Sequence, residues 1–302
     1  MKNAITIDLE DYYQVSAFSN NIDIEQWDGY SSRIESNTNR LLSIFDDLGA
    51  KATFFALGWL AKKHAKLLRE ITDRGHEIAC HSNLHRSVYT MSADEFRLDT
   101  LEAKQLLEEV TGSRVFGYRA PSFSITRNSL WAFEILAELG FSYDSSVFPI
   151  NHPSYGWPRG PRFPFTIKTP SGSIIEFPMP TLQIWGARVP IGGGAYFRLL
   201  PYWYTRWGIR HINTSEYHSA CIYFHPWELD SEQPRMTGSV SARLRHYFGL
   251  HGAESKFRRL LHDFHVQPLI GVIGELKSDC SDTSRRPLEE ICSADLGVYL
   301  GG

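Results

Sequence analysis

The chain has 302 residues, a formal net charge of −3 and hydrophobic residues at 42% of its positions. The slightly acidic balance argues against a nucleic-acid partner, which normally selects a basic surface. The length suits a single barrel of alternating strands and helices, and no apolar stretch approaches the length of a membrane span. The four cysteines lack the paired spacing of a thiolate metal site or a disulfide framework.

The amino-terminal residues lead directly into a predicted strand. Residues 1–3 precede the apolar run 4–7, and no hydrophobic segment typical of a signal peptide stands before it. An acidic cluster follows this run at once, so removal of a leader here would also remove residues useful for chemistry. We therefore expect a cytoplasmic protein.

Strand-like and helix-like segments alternate through the first half of the chain. The predicted strands are short apolar runs, and the predicted helices carry apolar residues on one face and end at glycines. This order predicts parallel strands with helices outside them. The predicted strands are 4–7, 52–57, 77–80 and 115–118, and the predicted helices are 37–48, 60–73, 92–110 and 130–139.

The alternation stops over residues 145–218, where proline, glycine and aromatic residues are frequent. We expect loops and hairpins there that elaborate one face of the scaffold. After residue 277 the chain is polar and without periodicity. The prediction is one domain over 1–277, which includes this aromatic-rich insertion, followed by a flexible polar tail over 278–302. The remaining predicted elements are a strand at 220–224, a helix at 256–264 and an apolar run at 269–273.

Two acids, one residue apart, close the first predicted strand. Since alternate side chains of a strand share a face, Asp8 and Glu10 are expected to point the same way and Leu9 the other. One carboxylate can then bind a cation while the other stays free as a general base. Asp11, at the exit of the strand, is the alternative to Glu10 as the ligand. Taken alone, such a cluster is more often simply solvated.

Two histidines follow the third predicted strand. His81 and His85 can reach one point if the turn between them is helical, and this is a spacing at which two imidazoles bind one metal ion. The pair alone is weak evidence. With a carboxylate from another strand it completes a set of two nitrogens and one oxygen, which leaves positions open for water and substrate.

Three further polar residues follow later apolar runs. Arg119 can hold the free aspartate ionised through paired hydrogen bonds, and a surface salt bridge is its alternative. Asp144 can orient a histidine or simply cap a turn. His225 is suited to protonate a departing amine, because histidine changes its charge near neutral pH. The carboxyl ends of successive parallel strands meet at one edge, so we predict one shared hydrolytic site.

In this order the motifs resemble those of the polysaccharide deacetylases with the NodB-homology domain, carbohydrate esterase family 4. The first family motif is matched by Thr6–Asp11, and the second, H-[ST]-x-x-H, is matched fully by His81–His85. The third, R-x-P-[YF], is matched loosely by Arg119–Phe123, which has an extra residue before the aromatic. The aspartate of the fourth motif matches Asp144, and the final histidine of the family matches His225.

The resemblance covers roughly residues 3–275. It implies an α/β fold, a distorted (β/α) barrel of seven or eight strands, and hydrolysis of the N-acetyl group of an amino sugar. It implies one divalent metal ion, with zinc as the ion that best suits the ligands. A backbone N–H near 119–123 or 143–145 is expected to stabilise the oxyanion. The implied metal ligands are Glu10, His81 and His85, and the implied catalytic residues are Asp8 as base, Arg119 as its partner, His225 as acid and Asp144 as the group that orients His225.

A narrower similarity points to the branch linked to exopolysaccharide and exosortase gene clusters, whose members carry a C-terminal extension. It rests on the stretches 8–13, 118–124, 192–198 and 224–228. Two features depart from the wider family. Leu9 separates the usually adjacent acid pair, and the tryptophan that normally follows the fourth motif is absent. Trp157 or Trp227 is the candidate for its place in the groove wall.

The implied partner is an N-acetylated glycan, either a polysaccharide or a lipid-linked precursor. Residues 199–204 with Arg198, Arg206 and Arg210 are most simply a packed helix with a charged rim, and contact with the inner membrane surface is the alternative. Two rival functions stay open. One is a different C–N hydrolase of the imidase or allantoinase kind, and the other is a glycan-binding module without turnover. The retained set of catalytic side chains argues against the second.

Overall fold

A computed structural model describes residues 1–18, 22–279 and 288–292 of the chain. The strands are β1 (Asn3–Leu9), β2 (Thr53–Ala56), β3 (Glu77–Cys80), β4 (Gly117–Tyr118), β5 (Tyr143–Asp144), β6 (Phe165–Thr169), β7 (Gly172–Glu176), β8 (Thr181–Ile184), β9 (Ala187–Pro190), β10 (Cys221–Phe224), β11 (Val266–Gln267) and β12 (Glu289–Cys292). The α-helices are α1 (Ile34–Asp47), α2 (Gly58–Lys63), α3 (Ala65–Asp73), α4 (Ala93–Thr111), α5 (Ala132–Glu138), α6 (Gly194–Leu199), α7 (Tyr202–Thr214), α8 (Val240–Tyr247), α9 (Leu250–Asp263) and α10 (Leu269–Asp279).

Ten strands form one sheet in the order β10-β1-β2-β3-β4-β5-β7-β6-β12, and β11 pairs with the start of β1. Neighbours from β10 to β7 run parallel, and β6 and β7 form an antiparallel hairpin. The predicted α/β fold with a parallel sheet is confirmed. β10 and β12 are the two ends of this strand order. Among the described residues no backbone pairing joins them, so the sheet is not closed into the expected barrel by strand pairing there.

The alternation of side chains along β1 separates core from site. Ile5, Ile7 and Leu9 belong to the larger apolar cluster, which also contains the buried faces of α1 and α4. Their neighbours Thr6 and Asp8 point to the opposite face of the sheet. β1 is buried along its whole length between β10 and β2, as expected of a strand inside a parallel sheet.

The second half of the chain differs from the prediction in several places. The insertion, predicted as loops and hairpins, also contains α6 and α7, and the apolar run 269–273 is the start of α10. The first hairpin of the 145–218 insertion, β6–β7, completes the main sheet, while β8–β9 forms a separate pair of strands. In the predicted flexible tail, β12 pairs in parallel with β6, because its backbone finds the open edge of that hairpin. Residues 280–287 and 293–302 of that tail lie outside the described residues.

In the first half of the chain the helices follow the predicted positions with one division. The helix predicted over 60–73 is two helices, α2 and α3, which meet at His64, where the backbone leaves the helical region (φ −129°, ψ 41°). α4 begins at the predicted capping box, in which the Ser92 hydroxyl accepts from the N–H of Glu95. None of the helices in the described ranges combines the length and the apolar character needed to cross a bilayer.

Candidate metal and catalytic site

The predicted site residues stand at the carboxyl ends of neighbouring parallel strands. Asp8 is the penultimate residue of β1, and Glu10 follows that strand directly. His81 is the first residue after β3, Arg119 is the first after β4, and His225 is the first after β10. Because these strands are parallel and adjacent, their ends bring the side chains to one edge of the sheet.

Glu10, His81 and His85 form a group whose ligand atoms all lie within 4.8 Å of one another. Glu10 Oε2 lies 2.8 Å from His85 Nε2, yet this buried oxygen has no hydrogen-bond partner among the described residues. A carboxylate oxygen and imidazole nitrogens that converge without a hydrogen bond present their lone pairs to a common point. This donor set fits a divalent cation of the zinc type.

The orientation of His81 supports a role as a neutral ligand. Its Nδ1 lies 2.8 Å from the carbonyl oxygen of Arg119, so Nδ1 carries the hydrogen and Nε2 is left for a metal. Burial lowers the pKa of His81 to about 4, which keeps the ring uncharged at neutral pH. Burial acts to raise the pKa of Glu10, but the neighbouring histidines His85, His225 and His81 together outweigh it and bring the value to about 2.

The turn between the two histidines is not helical, and that expectation is wrong. Ser82 and His85 both have left-handed backbone angles, with φ of 70° and 55°. The carbonyls of Ser82 and Asn83 accept hydrogen bonds from the first two N–H groups of α2, and the N–H of Asn83 donates to Asp99 Oδ2 at 2.9 Å. The neighbouring helices α2 and α4 therefore shape a turn that brings the two ring centroids to 5.2 Å.

Glu10, and not Asp11, lies beside the histidines. Asp11 Oδ2 accepts hydrogen bonds from the Ser32 hydroxyl and from the N–H of Arg33, both at 2.8 Å. These contacts hold the Asp11 carboxylate at the start of α1. The alternation of side chains along β1 thus decides between the two candidate acids, as the sequence reasoning expected from the pleat.

Arg119 pairs with Asp8 inside the protein rather than at its surface. Its Nη1 donates to Asp8 Oδ1 at 2.6 Å, and both side chains are buried. Only one hydrogen bond joins the two side chains, because the other guanidinium donors bind Thr6 Oγ1 and the carbonyl and hydroxyl of Ser145. The second oxygen of Asp8, Oδ2, is left facing the cleft 3.9 Å from His225 Nε2.

His225 points its Nε2 into the same cleft, 3.4 Å from Glu10 Oε1. Its Nδ1 lies 2.7 Å from Glu228 Oε1, so Glu228 occupies the place that the sequence reasoning assigned to Asp144. The 3-10 turn Pro226–Leu229 folds Glu228 back under the ring. Burial acts to lower the pKa of His225, but the hydrogen bond to Glu228 and the charge of Glu10 raise it.

The expectation that Asp144 orients His225 is therefore wrong. Asp144 accepts hydrogen bonds from the hydroxyl and the N–H of Ser146, at 2.7 and 3.0 Å, and lies in register with Glu176 of β7. The i, i+3 spacing of His225 and Glu228 was the sequence signal that could have found the true partner. For Glu176 the sequence held no such signal.

Trp227 is the tryptophan at the cleft. Its ring stacks on His225 with centroids 5.0 Å apart, and its Nε1 donates to Glu10 Oε1 at 3.4 Å. The other candidate, Trp157, is fully buried in the core.

The cleft has a volume of about 390 Å³, and a second groove of about 500 Å³ shares Val15 and His85 with it. Glu10, His81 and His85 all line the cleft.

Asp144 and Glu176 are both fully buried and lie opposite each other on the paired strands β5 and β7. Burial raises the pKa of Asp144. Burial and then the charge of Asp144 raise the pKa of Glu176 well above its ordinary value of 4.5. The folded protein therefore holds a proton on this pair at a pH where the unfolded chain has lost it.

Replacement of Glu176 by glutamine is expected to stabilise the protein increasingly as pH rises. The pKa of this carboxyl is higher in the folded protein than in the unfolded chain. The free energy of unfolding therefore falls as the pH rises from the pKa of the unfolded chain through the pKa of the folded protein. Glutamine has no proton to lose and keeps an oxygen for the N–H of Val147, which Glu176 Oε1 now accepts at 2.9 Å. Urea unfolding of both proteins from about pH 5 to about pH 9 measures the difference. A difference that does not change with pH would contradict a shared proton.

Two family models match successive parts of the chain. Residues 27–143 match the polysaccharide deacetylase family, and residues 145–273 match a domain of unknown function, DUF3473. The boundary between them falls where the sequence predicted the start of the aromatic-rich insertion. Tyr143, the last residue of the first matched segment, pairs in register with Ile175 of the second, so the two matched segments contribute strands to one sheet.

Curated proteins described as peptidoglycan deacetylases are similar to about a third of the chain. The chain is 32% identical over 110 residues to a peptidoglycan deacetylase of Helicobacter pylori, which covers 36% of each protein. It is 31% identical over 98 residues to a peptidoglycan-N-acetylglucosamine deacetylase of Bacillus cereus, covering 32% of this chain and 36% of that protein. The matched segment spans about a third of the length of these relatives.

Two solved structures share the fold over nearly the whole chain. One is a putative polysaccharide deacetylase from Mycobacterium smegmatis, with 22% identity and a TM-score of 0.60. The other is the Puue allantoinase, with 14% identity and the same TM-score. Each alignment covers 94% of this chain and 92% of the other. The chain thus shares its fold with both of these solved structures.

Proposed function

We propose that this protein is a metal-dependent de-N-acetylase that hydrolyses the N-acetyl group of an amino sugar in a glycan. The observation that carries the proposal is the convergence of three metal-type ligands, a carboxylate and a histidine on one cleft. The carboxylate oxygen Asp8 Oδ2 and the ring nitrogen His225 Nε2 are 3.9 Å apart beside the ligand group. The similarity to peptidoglycan deacetylases supports the choice of an N-acetylated glycan.

The proposed cofactor is zinc, held by Glu10, His81 and His85. Two neutral imidazoles and one carboxylate are a common donor set of catalytic zinc, and other divalent ions accept the same set. When bound there, the ion supplies Lewis acidity to an acetyl carbonyl and to the attacking water. Burial of all three ligands limits competition from bulk water for the same positions.

Asp8 serves as the general base in this proposal. Arg119 donates to its Oδ1, which leaves Oδ2 to accept a proton from water in the cleft. His225, whose Nε2 lies 3.4 Å from Glu10 Oε1, serves as the acid. In its doubly protonated form the ring donates the Nε2 proton to the amide nitrogen as the C–N bond breaks, so that acetate and a free amine are released and the neutral ring keeps its hydrogen on Nδ1.

The backbone N–H of Ser122 is the candidate donor for the oxyanion. The N–H groups of Arg119, Ala120 and Phe123 all donate to acceptors within the protein, and so do those of Tyr143 and Ser145. Ser122 lines the cleft, and no acceptor for its N–H is found in the described part of the chain. Its left-handed backbone, with φ of 54°, sets the direction of this group.

The presence of a second groove that shares lining residues with the cleft favours an extended substrate over a small imide. A sugar polymer can occupy both grooves at once, whereas a single small molecule fills only a part of the first. We extend the proposal to an exopolysaccharide or its lipid-linked precursor, on the sequence similarity of 192–198 and 224–228. The acetyl content of the exopolysaccharide made with and without the protein tests this context.

A cytoplasmic, membrane-peripheral position is the proposed setting for a lipid-linked substrate. Trp203 and Trp207 are exposed on one face of α7. Two of the three arginines expected on the rim are engaged elsewhere, since Arg198 is buried and Arg206 pairs with Asp263. Co-sedimentation with anionic vesicles, compared between the protein and a Trp203→Ala variant, tests whether these rings touch lipid.

Metal analysis followed by acetate release separates the candidate functions. We expect one divalent ion per chain and acetate release from N-acetylglucosamine oligomers that increases with chain length. Hydrolysis of allantoin without acetate release would instead support an imidase-type enzyme. Oligomer binding without hydrolysis by the metal-loaded protein would support a binding module, and either result would overturn the proposal.

A further inference from the structure

We infer that Glu228, anchored by Arg198, is the positioning residue that aims His225 Nε2 at the leaving nitrogen. The inference rests on the proposed function and concerns the same cleft. It assigns a role to two residues for which the sequence reasoning had no catalytic use. It also replaces the Asp144 contact, which the structure does not contain.

One oxygen of Glu228 holds His225 at two points. Glu228 Oε1 accepts from the backbone N–H of His225 at 3.0 Å and lies 2.7 Å from its Nδ1. An ionised carboxylate only accepts hydrogen bonds, so Nδ1 must carry the hydrogen. This selects the tautomer and rotation of the ring in which Nε2 faces the cleft, where Asp8 and Glu10 lie.

Arg198 immobilises the other oxygen of Glu228. Its Nε donates to Glu228 Oε2, and its remaining donors bind the carbonyl oxygens of Arg245, His246 and Phe248 at 3.0, 2.8 and 2.7 Å. The side chains of Arg198 and Glu228 are 1% and 0% exposed. A fully buried ion pair with these bonds satisfied is rigid, and losing either partner leaves an uncompensated charge.

The glycines before α6 let Arg198 approach the site. A Cβ on Gly193 would stand 2.2 Å from the ring of Tyr223, and the backbone there has a φ of 93°. Only glycine allows α6 to begin this close to β10. The run Gly192–Gly194 thereby places the helix that carries Arg198 above Glu228.

Trp227 limits rotation of the histidine from the side. Its ring lies between those of His225 and His246, with centroids 5.0 and 4.2 Å away and interplanar angles of 23° and 17°. The guanidinium of Arg198 lies 5.2 Å from the same indole. His246 is fixed in turn by Gln233, whose Oε1 is 2.7 Å from its Nε2. His225 is thus held at its Nδ1 edge by Glu228 and on one ring face by Trp227.

This role affects only reactions that need a proton on the leaving group. An amine leaves an acetamide only as its nitrogen gains the proton from His225 Nε2 while the C–N bond breaks. The phenolate of an aryl acetate leaves without that proton. A loss of positioning therefore slows release from the amide and spares the ester, whereas a damaged cleft slows both.

Glu228→Gln is the test variant, and Glu216→Gln is its matched control. Glu216 also pairs with an arginine, Arg162, but does not line the cleft. For Glu228→Gln we expect kcat on N-acetylglucosamine oligomers to fall by about 100-fold, with little change in KM. Hydrolysis of 4-nitrophenyl acetate and the metal content are expected to stay close to those of the wild type. The control should retain both activities.

Glu228→Asp provides a second variant that keeps the charge beside Arg198. Its carboxylate is one methylene shorter, so we expect a smaller loss, of about 10-fold, confined again to the amide substrate. If the variants leave amide hydrolysis unchanged, or slow ester and amide equally, the positioning role is wrong.

Nitrogen-15 spectra of histidine-labelled, zinc-loaded protein separate this inference from the proposed function. We expect a His225 signal with hydrogen on Nδ1, assigned by its loss in His225→Asn, and a changed tautomer signal in Glu228→Gln. That result supports the positioning contact even if the wild type releases no acetate. An unchanged tautomer signal in Glu228→Gln would overturn the inference even if the wild type is an active deacetylase.

Discussion

Replacement of His81 by alanine is expected to abolish metal binding and acetate release together. The variant removes one of three donors from a group whose ligand atoms lie within 4.8 Å of one another. Loss of a residue that merely supports a ligand costs 10–100-fold in affinity, so loss of a ligand itself should cost more than about 100-fold. Zinc titration and acetate release from N-acetylated oligomers measure the two effects on the same preparation.

His76→Ala is the control for the loss of a buried imidazole. His76 is 4% exposed, against 2% for His81, and it does not line the cleft. We expect this variant to lose stability but to bind zinc with the affinity of the wild type. If His81→Ala still binds one zinc tightly and releases acetate at the wild-type rate, the assigned metal centre is wrong.

Asp8→Asn is expected to keep the metal and lose acetate release by about 10²–10⁴-fold, the range found for removal of a general base. Asparagine retains an oxygen for Arg119 Nη1, so the geometry of the cleft should persist. It cannot accept a proton from water. Zinc content, kcat and thermal stability of the variant measure these effects.

The same change removes the counter-ion of a buried arginine. Arg119 is 0% exposed, and breaking such a pair costs about 3–5 kcal/mol of folding stability. Asp230→Asn is the matched control, because Asp230 is also buried and paired with an arginine, Arg33, outside the cleft. We expect the control to lose stability but to keep its kcat. Full activity of Asp8→Asn would exclude Asp8 as the base.

Much of the site could be predicted because its main residues follow strands. A parallel sheet brings the residues after β1, β3, β4 and β10 to one edge, whatever the intervening loops do. The two-residue period of β1 likewise placed Asp8 and Glu10 on one face. These are local rules, and they hold along a strand that is buried along its whole length.

The partners of those residues could not be predicted in the same way. Asp144 and Glu228 were both plausible partners for His225 by residue type. The 3-10 turn after β10 places Glu228 under the ring, while the pairing of β5 with β7 turns Asp144 toward Glu176. The tail behaved similarly, since β12 owes its structure to the free edge of β6.

By itself, then, the amino-acid order determined the parallel α/β class and which side chains stand at the strand ends, because both follow from short-range periodicity. The tertiary structure alone decided that Asp11 caps α1, that the histidine turn is left-handed and that Arg198 anchors Glu228. Each of these depends on segments distant in sequence, and only packing brings their polar groups within hydrogen-bond distance.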